Sequence, residues 1–452
     1  MANISPASVR FICDILKRIG VVDFHVKPNR ESCFVNREHW KAVLWQLFGY
    51  FQHVLAVLFL VSNVSSTLCR SSRHVPEFCQ RLFESCFGLI GLMCTQIAYH
   101  RYDEIKSLVH FMETSLSNAN KEIANKYKKK ANITLFAFLL TLVFASAANL
   151  SDKLHPLSEK DIAELKIIYG TQNPERRHYV NVWIPYVDET LPWHYAVIHA
   201  LEFWPTLIAG ASFYTIGVLV LTTITVLEGQ YTILRTYVKK IGRQHTDIQG
   251  NTVYYTNIER NKYIVEPINK RTSSVKDAAL KAKLQQRDLQ RHLVYEKLYF
   301  RQVLKFHQKL VILQTKLIHL YNTGMFLIIS VCSLCLSLCL YQLTLSSGSL
   351  SKITLYKYAM EFIGVTADYF YLCYCSDTLD DCHAMLRRAI NQSAWHRCSN
   401  RARRDLCIFL RRLQRPNHLK FNQGFIVLSK EFFVKVVKVS YSFVNFMRLM
   451  SK

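Results

Sequence analysis

Two carboxylates stand inside an otherwise apolar stretch: Glu361 and Asp368 lie seven residues apart between Tyr358 and Cys375. On a helix that spacing is two turns on one face. It suits a proton relay or, more simply, a polar lining or a pair of partners for Lys357. A second charged set, Glu431, Lys435 and Lys438, interrupts the apolar run from Phe425 to Met450. Glu431 and Lys435 form an i,i+4 pair, and Lys438 continues that face. Cys332, Cys335 and Cys339 are spaced like metal ligands but lie in the longest uncharged run, so they read as small packing residues. No other spacing resembles a zinc motif, so neither a metal site nor a cofactor is expected. Nucleophile-elbow, Walker, His-Glu-x-x-His and dinucleotide fingerprints are all missing from the sequence, and no enzymatic activity is expected.

The elements that must carry these residues are apolar spans. Residues 42–64, 131–150, 203–227 and 317–351 are uncharged runs of 23, 20, 25 and 35 residues. Residues 85–100 form a shorter one that can extend back past Glu84 to Phe83. About 20 residues of helix cross a bilayer core. Charges inside a span are costly and face protein or water, so 358–375 and 425–450 read as two further helices lining something polar. Seven membrane helices are expected. The first 40 residues show no signal-peptide pattern, so insertion is expected to rely on the first span.

The chain of 452 residues is half apolar yet carries 57 Lys+Arg against 32 Asp+Glu, a formal net charge of +25. A soluble protein this basic would suggest nucleic acid, but here the two properties are segregated. Connections 65–82, 151–202 and 352–357 hold 10 of the basic residues, whereas 1–41, 101–130, 228–316 and 376–424 hold 42. Basic connections stay inside, which puts the N-terminus inside and, after seven spans, the C-terminus outside. That orientation is opposite to a G-protein-coupled receptor, and no Asn-Pro-x-x-Tyr lies in the last span. Membrane lipids, not nucleic acid, are the expected contacts of this charge.

The basic connections have helical pattern of their own. Residues 278–320 carry Leu284, Leu289, Leu293, Leu298, Val303 and Leu310 among Lys, Arg and Gln, and can run as one helix into the fifth span. Residues 243–275 look like a flexible insertion. Met385–Ile390 and Leu406–Leu413 are short amphipathic pieces around Trp395 and the Arg401–Arg404 run, which suits a packed anchor with a lipid-facing edge. Cys69 and Cys79 fall in the first outer connection, where a disulfide is one option. The sequons at Asn63 and Asn149 sit at the outer ends of spans.

In the last span, Ser429 is placed to cap a helix whose first turn holds Glu431. Val437, Ser440 or Tyr441, Val444 and Met447 then share one stripe. Several such helices around an axis would give charged inner vestibules and an apolar constriction at Val444 that gates by dewetting; an ordinary bundle helix fits the same periodicity.

The closing third resembles the insect odorant receptor family. The resemblance rests on Trp395, Leu406, Arg411-Arg412-Leu413-Gln414-Arg415-Pro416, Gly424-Phe425, Leu428-Ser429, Phe432, Val437-Lys438-Val439-Ser440-Tyr441-Ser442 and Leu449. Cys339-Leu340-Tyr341-Gln342-Leu343 and Tyr371-Leu372-Cys373-Tyr374-Cys375-Ser376-Asp377 are similar too. It covers about residues 300–452 in motif; Ser440-Tyr441-Ser442 without a following Gln favours this branch over the related gustatory receptors.

The resemblance implies an all-α membrane protein of inverted topology, assembled as a tetrameric, odorant-gated, non-selective channel for cations. It implies a segment 1–41, spans one to four over 42–227 and a basic connection and helical extension over 228–316. Spans five and six follow over 317–375, then anchor helices over 376–424 and a pore helix over 425–452. The gate falls on Val444 and the adjoining polar ring on Met447, with Ser440 and Val437 on the same stripe. Met447 departs from the amide of the shared co-receptor, so the chain reads as a tuning subunit that pairs with a co-receptor in a sensory neuron's plasma membrane. The family's pocket for a volatile small molecule lies in the outer half. There this sequence places Phe87, Ile90, Phe144, Ala148, Phe203, Leu207, Ile208, Leu338 and Tyr341.

Overall fold

A computed structural model describes residues 37–117, 119–267, 278–345 and 352–450. Ten α-helices run through them: α1 (Arg37–Cys69), α2 (Val75–His100), α3 (Tyr102–Ser115), α4 (Lys121–Leu154), α5 (Glu159–Tyr169), α6 (Pro192–Val238), α7 (Ala278–Leu345), α8 (Lys352–Asn391), α9 (Asn400–Gln414) and α10 (Lys430–Met450). Five of them, α1, α2, α4, α6 and α7, are long and apolar enough to cross a membrane. These hold the five uncharged runs. The two runs that keep charges also fold as long helices, α8 and α10.

Helix ends follow local chemistry. Asn120 accepts the Ile123 amide at 3.1 Å to start α4, and Ser429 accepts the Phe432 amide at 3.1 Å to start α10, as the sequence suggests. The extension and fifth span form one helix of 68 residues, about 100 Å of rise. Most of it therefore lies beyond any bilayer core. Helix α6 is the axis of the bundle and packs against α1, α2, α4, α7 and α8. From Val218 to Thr225 it is buried on every side. Its hydroxyls would be unsatisfied there, but Thr222, Thr223 and Thr225 each donate to the carbonyl four residues back at 2.7–2.9 Å. Small residues permit close crossing: a Cβ on Gly91 would sit 2.9 Å from Ala209 Cβ.

The expected flexible insertion is corrected in part. Residues 252–257 (β1) and 262–266 (β2) pair as an antiparallel hairpin, while 268–277 lie outside the described residues. Its polar composition hides three tyrosines: Tyr254 and Tyr255 find ring partners on α7, and Tyr263 packs on Tyr255 within the hairpin. The Tyr255 amide donates to Tyr295 Oη at 3.1 Å, and Lys240 donates to Tyr255 Oη at 2.9 Å. His245 closes the cluster, its Nδ1 2.7 Å from Tyr295 Oη. Gly242, with φ +72°, lets the chain turn against residue 394, whose carbonyl lies 2.1 Å from where a Cβ would be.

Met385–Ile390 continues α8, and Leu406–Leu413 lies in α9, where Leu406, Phe409 and Leu413 are buried while Arg401, Arg403 and Arg404 are exposed. A short hairpin, β3 (Lys420–Phe421) and β4 (Ile426–Val427), leads into α10. Cys69 and Cys79 are free: the first is exposed at the end of α1 and the second turns into the core beside Phe83 and Cys86.

Candidate functional site

A cavity of about 900 Å³ opens between α1, α2, α4, α6, α7 and α8. Its middle is apolar and aromatic because the apolar faces of those helices meet there. Phe87 lies 6.5 Å from Phe213, and Phe213 5.8 Å from Phe138, centroid to centroid. Its end beneath the 155–191 connection is polar, with Asn63, Glu84, Asn149, Lys153, Tyr179 and Glu361 in the lining.

That polar end is tied by charge. Glu84 meets Arg81 at 2.7 Å and Lys357 at 3.7 Å, and Asp152 meets Lys357 at 3.5 Å. Lys357 thus has Glu84 and Asp152 as ion-pair partners from two other helices, and it also interacts with Glu361 one turn along its own helix, as the sequence allows. Lys153 Nζ donates to the carbonyls of His178 and Tyr179 at 2.6 and 2.7 Å, holding the connection down as a roof. Asn149 donates to Glu361 Oε1 at 3.1 Å, and Thr141 reaches Asp368 at 3.4 Å. Glu361 is only 4 % exposed, and its Oε2 has no hydrogen-bond partner. Gln52 Oε1 and Asn63 Oδ1, also in the cavity wall, are likewise unpartnered. Among the described lining residues, the buried polar atoms without partners are therefore all oxygens. Asn63 and Asn149, each in a sequon, both line the cavity.

Of the nine residues the sequence singles out for a pocket, Phe87, Ile90, Phe203, Leu207 and Ile208 line the cavity. Phe144, Ala148, Leu338 and Tyr341 do not. Phe144 is 46 % exposed on the outer side of α4, while its neighbour Ala145 lines the cavity. Ala148 is buried outside the cavity lining. Leu338 and Tyr341 join a separate cluster with Cys79, Phe83 and Cys86. The sequence offers no sign of Thr141, Leu142 and Ala145 on α4, whereas Glu361 and Asp368 are visible as charges inside an apolar run.

The last helix turns its marked stripe inward. Val444 is 4 % exposed and packs in the Leu338 cluster, with Met447 against it. Ser440 accepts a hydrogen bond from Ser337 on α7 at 2.8 Å. Val437 is at the edge of this face, and Lys438, Ser442, Asn445 and Leu449 are exposed on the opposite one.

The model of the family described as 7tm Odorant receptor matches residues 74–441. Among solved structures, the insect olfactory receptor OR5 from Machilis hrabei is similar in fold, with a TM-score of 0.65 at 12 % identity over 97 % of this chain and 99 % of that one. The same receptor in complex with eugenol matches with a TM-score of 0.65 at 12 % identity, over 98 % and 100 % of the two chains. No curated protein sequence matches the chain.

Proposed function

The chain belongs to the seven-transmembrane odorant receptor family, and on that premise we propose that it is an odorant-gated cation-channel subunit that binds a small volatile molecule in the α1–α8 cavity. The observation that carries this reading is the cavity itself: about 900 Å³, aromatic in the middle and polar at one end. Such sites suit drug-sized or smaller ligands held by apolar burial and a few placed polar groups. Burying about 250 Å² of apolar ligand surface contributes about 6 kcal/mol before the costs of association, which suits a reversible sensor. The unpartnered oxygens favour a ligand that brings a hydrogen-bond donor. The relative solved with eugenol makes small aromatics the first class to test.

In this reading the N-terminus is inside, the C-terminus outside, and the basic connections 228–316 and 376–424 anchor four subunits below the plasma membrane of a sensory neuron. The last helices surround a common axis. A co-receptor subunit supplies the rest of the heterotetramer. Gating is a population shift: the ligand fits the open arrangement better by a few kcal/mol, and the last helix moves. The test is ligand-evoked current with and without a co-receptor, followed by excised patches without nucleotide. Openings in the excised patch are expected only when both subunits are present; current that needs soluble nucleotide or a G protein would reject the channel reading.

A further inference from the structure

We propose that the roof of the cavity holds a divalent transition-metal site, with zinc the ion best suited to it, formed by His178, His199 and Glu202. One ligand atom from each lies within 4.8 Å of the others. His178 comes from the connection after α5, whereas His199 and Glu202 lie one turn apart near the start of α6. No sequence spacing announces such a site, because it exists only once the connection folds onto α6.

Three details distinguish the cluster from a chance meeting of polar residues. Glu202 is 1 % exposed and His178 8 % exposed, so both sit deep beneath the surface. His178 Nδ1, His199 Nδ1 and Glu202 Oε1 are all buried without a hydrogen-bond partner. The remaining polar atoms of two of the three are already engaged in a way that orients them. His178 Nε2 lies 3.2 Å from the Glu189 carbonyl, to which it donates, so Nδ1 is the ring atom turned to the cluster. Glu202 Oε2 accepts the Tyr179 amide at 3.1 Å, leaving Oε1 free. An imidazole fixed through its second nitrogen by a carbonyl is the usual support of a metal-binding histidine.

The distances agree with zinc. Zinc at about 2.1 Å from nitrogen and oxygen ligands separates them by roughly 3.4 Å in a tetrahedron. His178 Nδ1 already faces the Glu202 carboxylate, 3.5 Å from the Oε2 that holds the Tyr179 amide, with the free Oε1 on the same group. His199 is stacked between Tyr179 at 4.5 Å and Tyr195 at 5.3 Å, with its ligand atom within 4.8 Å of the other two. Two imidazoles and a carboxylate form a donor set that favours zinc over calcium or magnesium, and the fourth position is left for water. Tyr179 links the site to the cavity: it lines the cavity, stacks on His199 and donates to Glu202. Bound metal would therefore stiffen the roof over the ligand.

The test uses the purified full-length chain and zinc chloride. Zinc at micromolar concentration is expected to be retained at one ion per chain after dialysis and to raise the melting temperature. His199→Phe, which keeps a ring between the tyrosines, and His178→Ala are expected to lower zinc affinity by more than about tenfold. The metal-free melting temperature of His199→Phe is expected to stay close to that of the native chain. Retention of no zinc by the native chain, or equal retention by His199→Phe, overturns the proposal and leaves a polar contact between His178 and Glu202 only. Because the readout needs no current, this result stands apart from the channel reading.

Discussion

Glu361 is the residue on which ligand chemistry turns in the proposed reading. A carboxylate oxygen buried without a partner costs free energy unless a donor meets it. The proposed ligand cavity is therefore expected to discriminate between ligands of one shape and different polarity. Against a panel of 2-phenylethylamine, 2-phenylethanol and propylbenzene, the amine is expected to bind the purified receptor most tightly. A hydrogen bond to a charged group is worth about 1.5–3 kcal/mol, roughly tenfold to a hundredfold in affinity. Glu361→Gln should remove most of the amine's advantage and leave propylbenzene binding unchanged. Equal affinities across the panel would show that the free oxygen is not part of the site. The sequence exposes this residue because a charge in an apolar run has few explanations. It does not reveal that Lys357 also meets Glu84 and Asp152, since that depends on three helices meeting.

At the scale of elements, α10 and α4 show the limits of periodicity. The stripe through Ser440, Val444 and Met447 is real, but it packs on α7 rather than away from it. A stripe tells which residues share a face and not which way the face looks. If the described packing persists in an assembled channel, Ser442 and Asn445 face the axis and Val444 does not. Asn445→Cys should then react rapidly with a cationic thiol reagent and change the current, with Val444→Cys slower by about tenfold or more, since a buried site must first open locally. Equal rates would mean that α10 turns on assembly and brings Val444 to the axis. Helix α4 poses the same problem without any stripe. Its stretch 131–150 carries no charge on any face, because lipid and a neighbouring helix are equally oily surroundings. Phe144 and Ala145 are therefore indistinguishable in sequence, although only Ala145 lines the cavity.

At the scale of the whole molecule, the basic end is a packed unit in its own right. His383 on α8 lies 5.8 Å from Tyr231 on α6 and 5.6 Å from His307 on α7, and His307 lies 5.0 Å from Phe409 on α9. Burial, with Arg412 nearby adding to it, pushes His383 down to about 4. The neutral ring is thus the folded form. An unfolded chain takes up this proton near pH 6.5, so between 6.5 and 4 the unfolded state binds more protons and stability falls as pH falls. Above 6.5 the contribution is constant. The loss by pH 4 is on the order of 2–3 kcal/mol. His383→Phe should flatten the difference in melting temperature between pH 7 and pH 4.5 relative to the native chain; parallel curves would show that His383 does not titrate in this window.

The sequence by itself determined how many long apolar helices the described residues hold, that two further ones carry charge, and that Ser429 starts the last of them. Each of these is a local property, written in runs, caps and counts of neighbouring residues. The segregation of 42 of the 57 basic residues onto one set of connections is equally local. Tertiary structure alone decided which faces meet. It placed Phe87, Ile90, Phe203, Leu207 and Ile208 around one cavity and turned Phe144 outward. It also folded a tyrosine hairpin out of a polar stretch and brought His178 to His199 and Glu202. The reason is physical: apolar side chains pack nearly as well against lipid as against one another. The choice among faces is therefore made by complementarity between helices distant in sequence, and no single stretch of residues records it.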